Sequence, residues 1–112
     1  MDTMVTVTDI AGLPALPAQE MLSILRQGAI LRLPYLEARL LQAGDRVAHF
    51  EEKYGTTLEQ LSAQGLPDDA DYQFHEDFIE WEYWHEVRHE TEMVVRNVRQ
   101  ILNKAEATVV SG

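Results

Sequence analysis

"YQFHEDFIEWEYWHEVRHETEMVVRNVRQILNKA", residues 72–105, contains neither proline nor glycine, and its apolar side chains recur at steps of three or four. Phe78, Trp81, Trp84, Val87, Thr91, Val94, Val98, Ile101 and Ala105 make the series, and Phe74 extends it one turn earlier. That spacing sets them on one face of a helix, as a seam for packing against a second helix. The stretch predicts one long helix and raises the question of where its partner lies.

The partner lies upstream. Leu33, Leu36, Leu40, Ala43, Val47, Phe50 and Tyr54 advance by three and four in strict alternation. Pro34 suits the first turn of a helix, where its missing N–H is not needed, and Gly55 suits the position just past the end. Two seams predict an all-α fold: a long antiparallel helical hairpin of coiled-coil type. Between them Thr56 or Thr57 can cap a short connecting helix, "LEQLSAQ" at 58–64, with Gly65 as its stop and Pro67 beyond. Residues 18–33 place Met21, Leu22, Leu25 and Ala29 at helical spacing, but Gly28 and Pro34 limit that segment to a separate short helix. Residues 1–17, with Gly12, Pro14 and Pro17, read as an N-terminal arm, residues 18–106 as the single helical domain, and 107–112 as a tail.

At 1.5 Å per residue the first long helix is roughly 30 Å and the second roughly 50 Å, so about a third of the second overhangs. The overhang would expose Val94, Val95, Val98, Ile101 and Leu102 as a patch that needs a cover. Residues 18–33, a second copy of the chain or a different protein could supply it. A chain of 112 residues is close to the size at which such help matters for burying a core. A dimer or a hetero-complex is the expectation.

Charge narrows the class of partner. The formal charge is -10, from 19 acidic and 9 basic side chains, which opposes binding to nucleic-acid phosphates and favours a basic protein. Residues 68–92 hold Asp68, Asp69, Asp71, Glu76, Asp77, Glu80, Glu82, Glu86, Glu90 and Glu92 against Arg88 alone. Such a face keeps a helix solvated, and it can also steer a basic partner into place. No helix-turn-helix pattern or basic stripe points to direct nucleic-acid binding. There is no cysteine, no apolar run long enough to span a bilayer and no secretory pattern in "MDTMVTVTDI", so a cytoplasmic location is expected, without a membrane.

"HEVRH" at 85–89 spells the zinc-protease signature H-E-x-x-H. His85 and His89 would share a helix face, but Arg88 lies between them, Glu90 follows, and neither a further downstream histidine nor a sheet edge for a peptide is present. The protease reading fails and no catalytic set replaces it, so the expectation is a non-enzymatic protein without a cofactor. A second metal reading uses the Glu-x-x-His spacing of Glu82 with His85 and of Glu86 with His89, as in helical di-iron sites. It needs a four-helix dimer, with Glu51 or Glu52 bridging and His49 nearby. Its weakness is placement, because the seam through Trp81 and Trp84 leaves Glu82, His85 and His89 on the flank. The aromatic cluster of Phe74, Phe78, Trp81 and Trp84 reads as core against Val47, Phe50 and Tyr54. Tyr83, off the seam, is the exposed ring best suited to anchor a partner.

"HFEEKYGTTLEQL" followed by "GLPDDAD" and "EDFIEWE" resembles a family of small acidic bacterial and archaeal proteins that share the phrases F-E-x-K-Y-G and D-F-x-E-W-E. The matching residues are Phe50, Glu51, Lys53, Tyr54, Gly55, Thr56, Thr57 and Leu58, then Gly65, Asp68, Asp69, Asp77, Phe78, Glu80, Trp81 and Glu82. Members are similar to antitoxin components encoded beside a small toxin. The resemblance covers about residues 35–84; the N-terminal arm and the histidine-rich helix beyond Trp84 depart from it. It implies a protein that works by occupying its partner, a small basic toxin encoded nearby, with a ribonuclease as the natural candidate. On that reading Val94, Val98 and Ile101 supply buried area, Tyr83 an anchor, and Glu80, Glu82, Glu86 and Glu90 oppose a basic RNA-binding cleft. The alternatives are a homodimeric metal protein using Glu82, His85, Glu86 and His89, and a structural or adaptor hairpin.

Overall fold

A computed structural model describes residues 15–111, with the side chains of residues 15–104. These residues form three helices and no strand: α1 (Ala18–Tyr54), α2 (Leu58–Gln64) and α3 (Tyr72–Ser111). α1 and α3 pack against each other and α2 bridges them, so the expected helical hairpin is the architecture. Almost all of the proposed arm lies outside the described residues.

Two expectations about length are corrected. Residues 18–33 do not form a separate helix, because α1 runs unbroken through Pro34 for 37 residues. Its inward stripe explains why. Ala29, Leu36, Ala43, Val47 and Phe50 are all buried and follow one line at helical spacing on both sides of the proline. Docking that whole stripe on α3 outweighs the backbone bond that proline removes. α3 is also longer than expected, 40 residues, and passes Ala105 into most of the expected tail. With helices of about 55 and 60 Å the pair matches end to end, and the molecule measures 62 × 28 × 20 Å. The expected overhang is therefore absent, since α1 itself lies beside that part of α3. Val95 is buried there, and Arg99 of α3 pairs with Glu37 of α1.

The seam of α3 holds as far as Thr91 and then shifts. The expected series turns Val94 inward, but Val95 is the buried residue and Val94 is 43% exposed. A straight helix repeats every 3.6 residues, so a 3.5-residue seam drifts by about 20° per heptad. By the fourth turn beyond Trp81 the inward line has passed to the next residue.

The main core sits at the closed end. Val47, Phe50, Leu58, Leu61 and Trp81 form it, with Tyr54, Phe74, Phe78 and Trp84 packed around them. Trp81 is fully buried and stacks on Phe50 and Tyr54, with ring centroids 5.8 and 5.9 Å away. Thr57 rather than Thr56 caps α2. Its hydroxyl accepts from the Gln60 amide at 3.1 Å, while the Gln60 side chain accepts from the Thr57 amide at 3.4 Å. That box aims Leu58 and Leu61 into the core.

Gly55 ends α1 at φ 67°, with its amide donating to the Glu51 carbonyl at 2.8 Å. A Cβ there would meet nothing within 4 Å, so the demand is conformational alone. Gly55→Ala is therefore expected to cost about 1 kcal/mol in urea unfolding, and Gly55→Asn less, because asparagine tolerates this region better.

Candidate docking face

Most of the residues that sequence nominated for a partner follow a row along α3 that winds slowly around the helix. Glu82, Glu86 and Glu90 follow one another at single-turn spacing and are all exposed. Tyr83 is 54% exposed, its ring held edge-on to Trp84 with centroids 5.1 Å apart. Further along, Glu90, Val94 and Val98 line one side of a groove of about 470 Å³, and Arg32, Tyr35, Leu36 and Arg39 of α1 line the other. Ile101 is half-buried near the open end. Glu80 differs from its neighbours: its carboxylate accepts from Arg46 at 2.7 Å, and that guanidinium also lies over the Trp84 ring. It braces the hairpin across α1 and α3.

Sequence reasoning missed the α1 side of this groove. Splitting the helix at Pro34 left Arg32 without a defined place beside α3, while Tyr35 and Arg39, on the expected hairpin helix, were not singled out. A signal was available: Ile24, Leu31 and Tyr35, at steps of seven and four, repeat on one helix flank. All three are exposed, Leu31 to 81%. Arg32 stacks over Tyr35, its guanidinium carbon 4.4 Å from the ring centroid.

The histidines belong to a different groove, on the side where α2 packs. His85 and His89 line it with Val47, Glu51, Glu59, Arg88 and Glu92. His85 Nε2 lies 3.2 Å from a Glu59 carboxylate oxygen, a link between α3 and α2. The Glu59 carboxyl is held below its ordinary range by the backbone amide of its own residue and then by His85. Glu82 and Glu86, the carboxylates of the alternative metal set, do not line this groove. Among the described residues no three His, Asp or Glu side chains are arranged to hold a metal ion. None of the described helices is long and apolar enough to cross a membrane.

Compared with family models, curated proteins and solved structures, the chain gives no match. The geometry shows what the stretches around Lys53–Thr57 and Asp77–Trp81 do here. Asp77 accepts from Lys53 at 2.6 Å, from the Tyr54 hydroxyl at 2.5 Å and from Gln73 at 2.8 Å. Lys53, Tyr54, Gly55, Thr57, Asp77 and Trp81 thus form the clasp, the helix end, the cap and the core of the closed end. These stretches describe how the hairpin closes, and the nominated docking residues lie mostly beyond them.

The clasp has a pH signature. The Lys53 hydrogen bond, then that of Tyr54, lowers the Asp77 carboxyl to about 2. A carboxylate whose pKa is depressed on folding stabilises above its unfolded value and loses that contribution as pH falls through the folded one. Allowing for the solvent reached by Lys53, the group contributes about 1–2 kcal/mol at neutral pH. Asp77→Asn should lower the free energy of unfolding by that amount at pH 7. The gap between the two proteins should close as pH falls from about 4 to 2. A constant gap in urea titrations over that range would contradict the assignment.

Proposed function

We propose that this chain is a non-enzymatic, antitoxin-like protein that occupies a small basic partner, a ribonuclease toxin encoded nearby. The observation that carries the reading is that exposed carboxylates at single-turn spacing, Glu82, Glu86 and Glu90, lead along α3 into the Val94–Val98 wall of the groove, with Tyr83 exposed nearby. An RNA-cleaving protein must present lysine and arginine to phosphates. A rigid helix bearing carboxylates at single-turn spacing competes for those cations, and the ring and valines add the desolvated contact that slows release. Phosphate-bearing RNA is repelled by the same face.

The test is rescue of growth. Co-expression should protect cells that produce the neighbouring gene's toxic product, and Glu82→Lys/Glu86→Lys/Glu90→Lys should abolish protection while keeping the helical circular dichroism of the parent. Failure of the parent chain to rescue cells from a verified toxic neighbour overturns the proposal.

A further inference from the structure

The docking groove has walls of opposite charge. Arg32 and Arg39 stand two turns apart on the α1 side, with Glu90, Val94 and Val98 on the α3 side, and Glu86 lies one turn from Glu90. Arg46, Lys53, Arg88 and Arg99 all have carboxylate partners within the chain. Arg32 and Arg39 form no ion pair with any described residue, and neither do Glu86 and Glu90. The groove between the two charged lines is floored by apolar side chains, with Leu36 and Val87 buried and Val94 partly exposed, and Tyr35 stands exposed at its α1 rim. The molecule is a slab one helix thick, with a strip of this kind left uncovered.

We propose that a second copy of the chain covers this face, each α1 lying antiparallel over the other copy's α3 around a twofold axis parallel to the helices. The result is a four-helix bundle. Charge selects this arrangement. Rotation about an axis along the helices exchanges the two walls, so Arg39 of each copy sits over Glu86 and Glu90 of the other, twice per dimer. A twofold axis across the helices would instead set α1 on α1 and α3 on α3, arginine over arginine and glutamate over glutamate, which disfavours it. The overall charge of -10 opposes self-association in general, and this face, locally balanced, is where that opposition is weakest. The α3 flank is also the surface assigned above to the basic partner, so the two associations exclude each other. That corollary alone rests on the proposed function.

Two charge reversals on the full chain test the arrangement by sedimentation equilibrium. The parent is expected at twice 12.8 kDa. Arg32→Glu/Arg39→Glu and Glu86→Arg/Glu90→Arg should each weaken dimerisation at least about tenfold while remaining helical. An equimolar mixture of the two should regain the dimer, because both contacts in the mixed pair are again complementary. A parent that stays at 12.8 kDa, a dimer indifferent to both reversals, or no recovery on mixing overturns the proposal. No toxin enters the experiment, so its failure leaves the antitoxin reading standing, and failure of rescue leaves the dimer standing.

Discussion

Trp81→Ala is expected to destabilise the hairpin by about 3–5 kcal/mol, a large share of what a domain of this size possesses. The indole is fully buried and lies between Phe50 and Tyr54, so its removal leaves a cavity that two helices docked along their length cannot collapse. The consequence should spread to α2, because Leu58 and Leu61 belong to the same cluster. Trp81→Phe separates two contributions. It keeps a stacked ring and also removes the indole N–H, which is buried without a hydrogen-bond partner. Its cost should be less than half that of alanine. Urea unfolding followed by circular dichroism measures both, and an alanine variant within about 1 kcal/mol of the parent would show that the closed end is not the seat of stability.

Pro34→Ala should act in the opposite direction. Proline in the interior of a helix removes the backbone hydrogen bond to the carbonyl four positions back, here that of Ile30, and crowds that carbonyl, at a cost of about 3 kcal/mol relative to alanine. Pro34 is exposed, so little packing is lost with the ring. The greater freedom of the unfolded alanine chain returns roughly 0.4–1 kcal/mol. A net gain of about 2 kcal/mol is expected, visible as a higher melting temperature and stronger helical signal. A loss of stability would mean that the proline ring itself supports α1.

The same proline marks where sequence reasoning stopped short. The seams from Leu36 to Tyr54 and from Phe74 to Thr91 were legible because apolar side chains that keep helical spacing over five turns can share a buried face only on a helix. The connecting helix was legible because Thr57, Gly65 and Pro67 are local signals. Whether α1 continued through residue 34 was not local. It depended on Ala29 and Leu36 finding α3 on both sides of the break, a tertiary gain that no propensity contains. With that continuity hidden, Arg32 had no place beside α3. The α3 residues of the docking face could be named from charge and spacing, whereas Tyr35 and Arg39, although on the expected hairpin helix, carried no signal of what lay opposite. Asp77 stood within a run of ten acids. Nothing in the sequence distinguished it as the one that Lys53, Tyr54 and Gln73 would close around.

The placement of the core also gives the hairpin a direction. Trp81, the α2 leucines and the Asp77 clasp are gathered at the turn, while the far end is held by Ala29, Leu36, Val95 and the Arg99–Glu37 pair. Such a molecule behaves like a zipper fastened at one end. Fluctuations open it from the free tips inward without disturbing the fastening, so amide protection against exchange should rise steadily towards the bend. The groove between Arg32 and Val98 lies part-way along that gradient, so its walls should exchange faster than the helices beside Trp81 and more slowly than the tips.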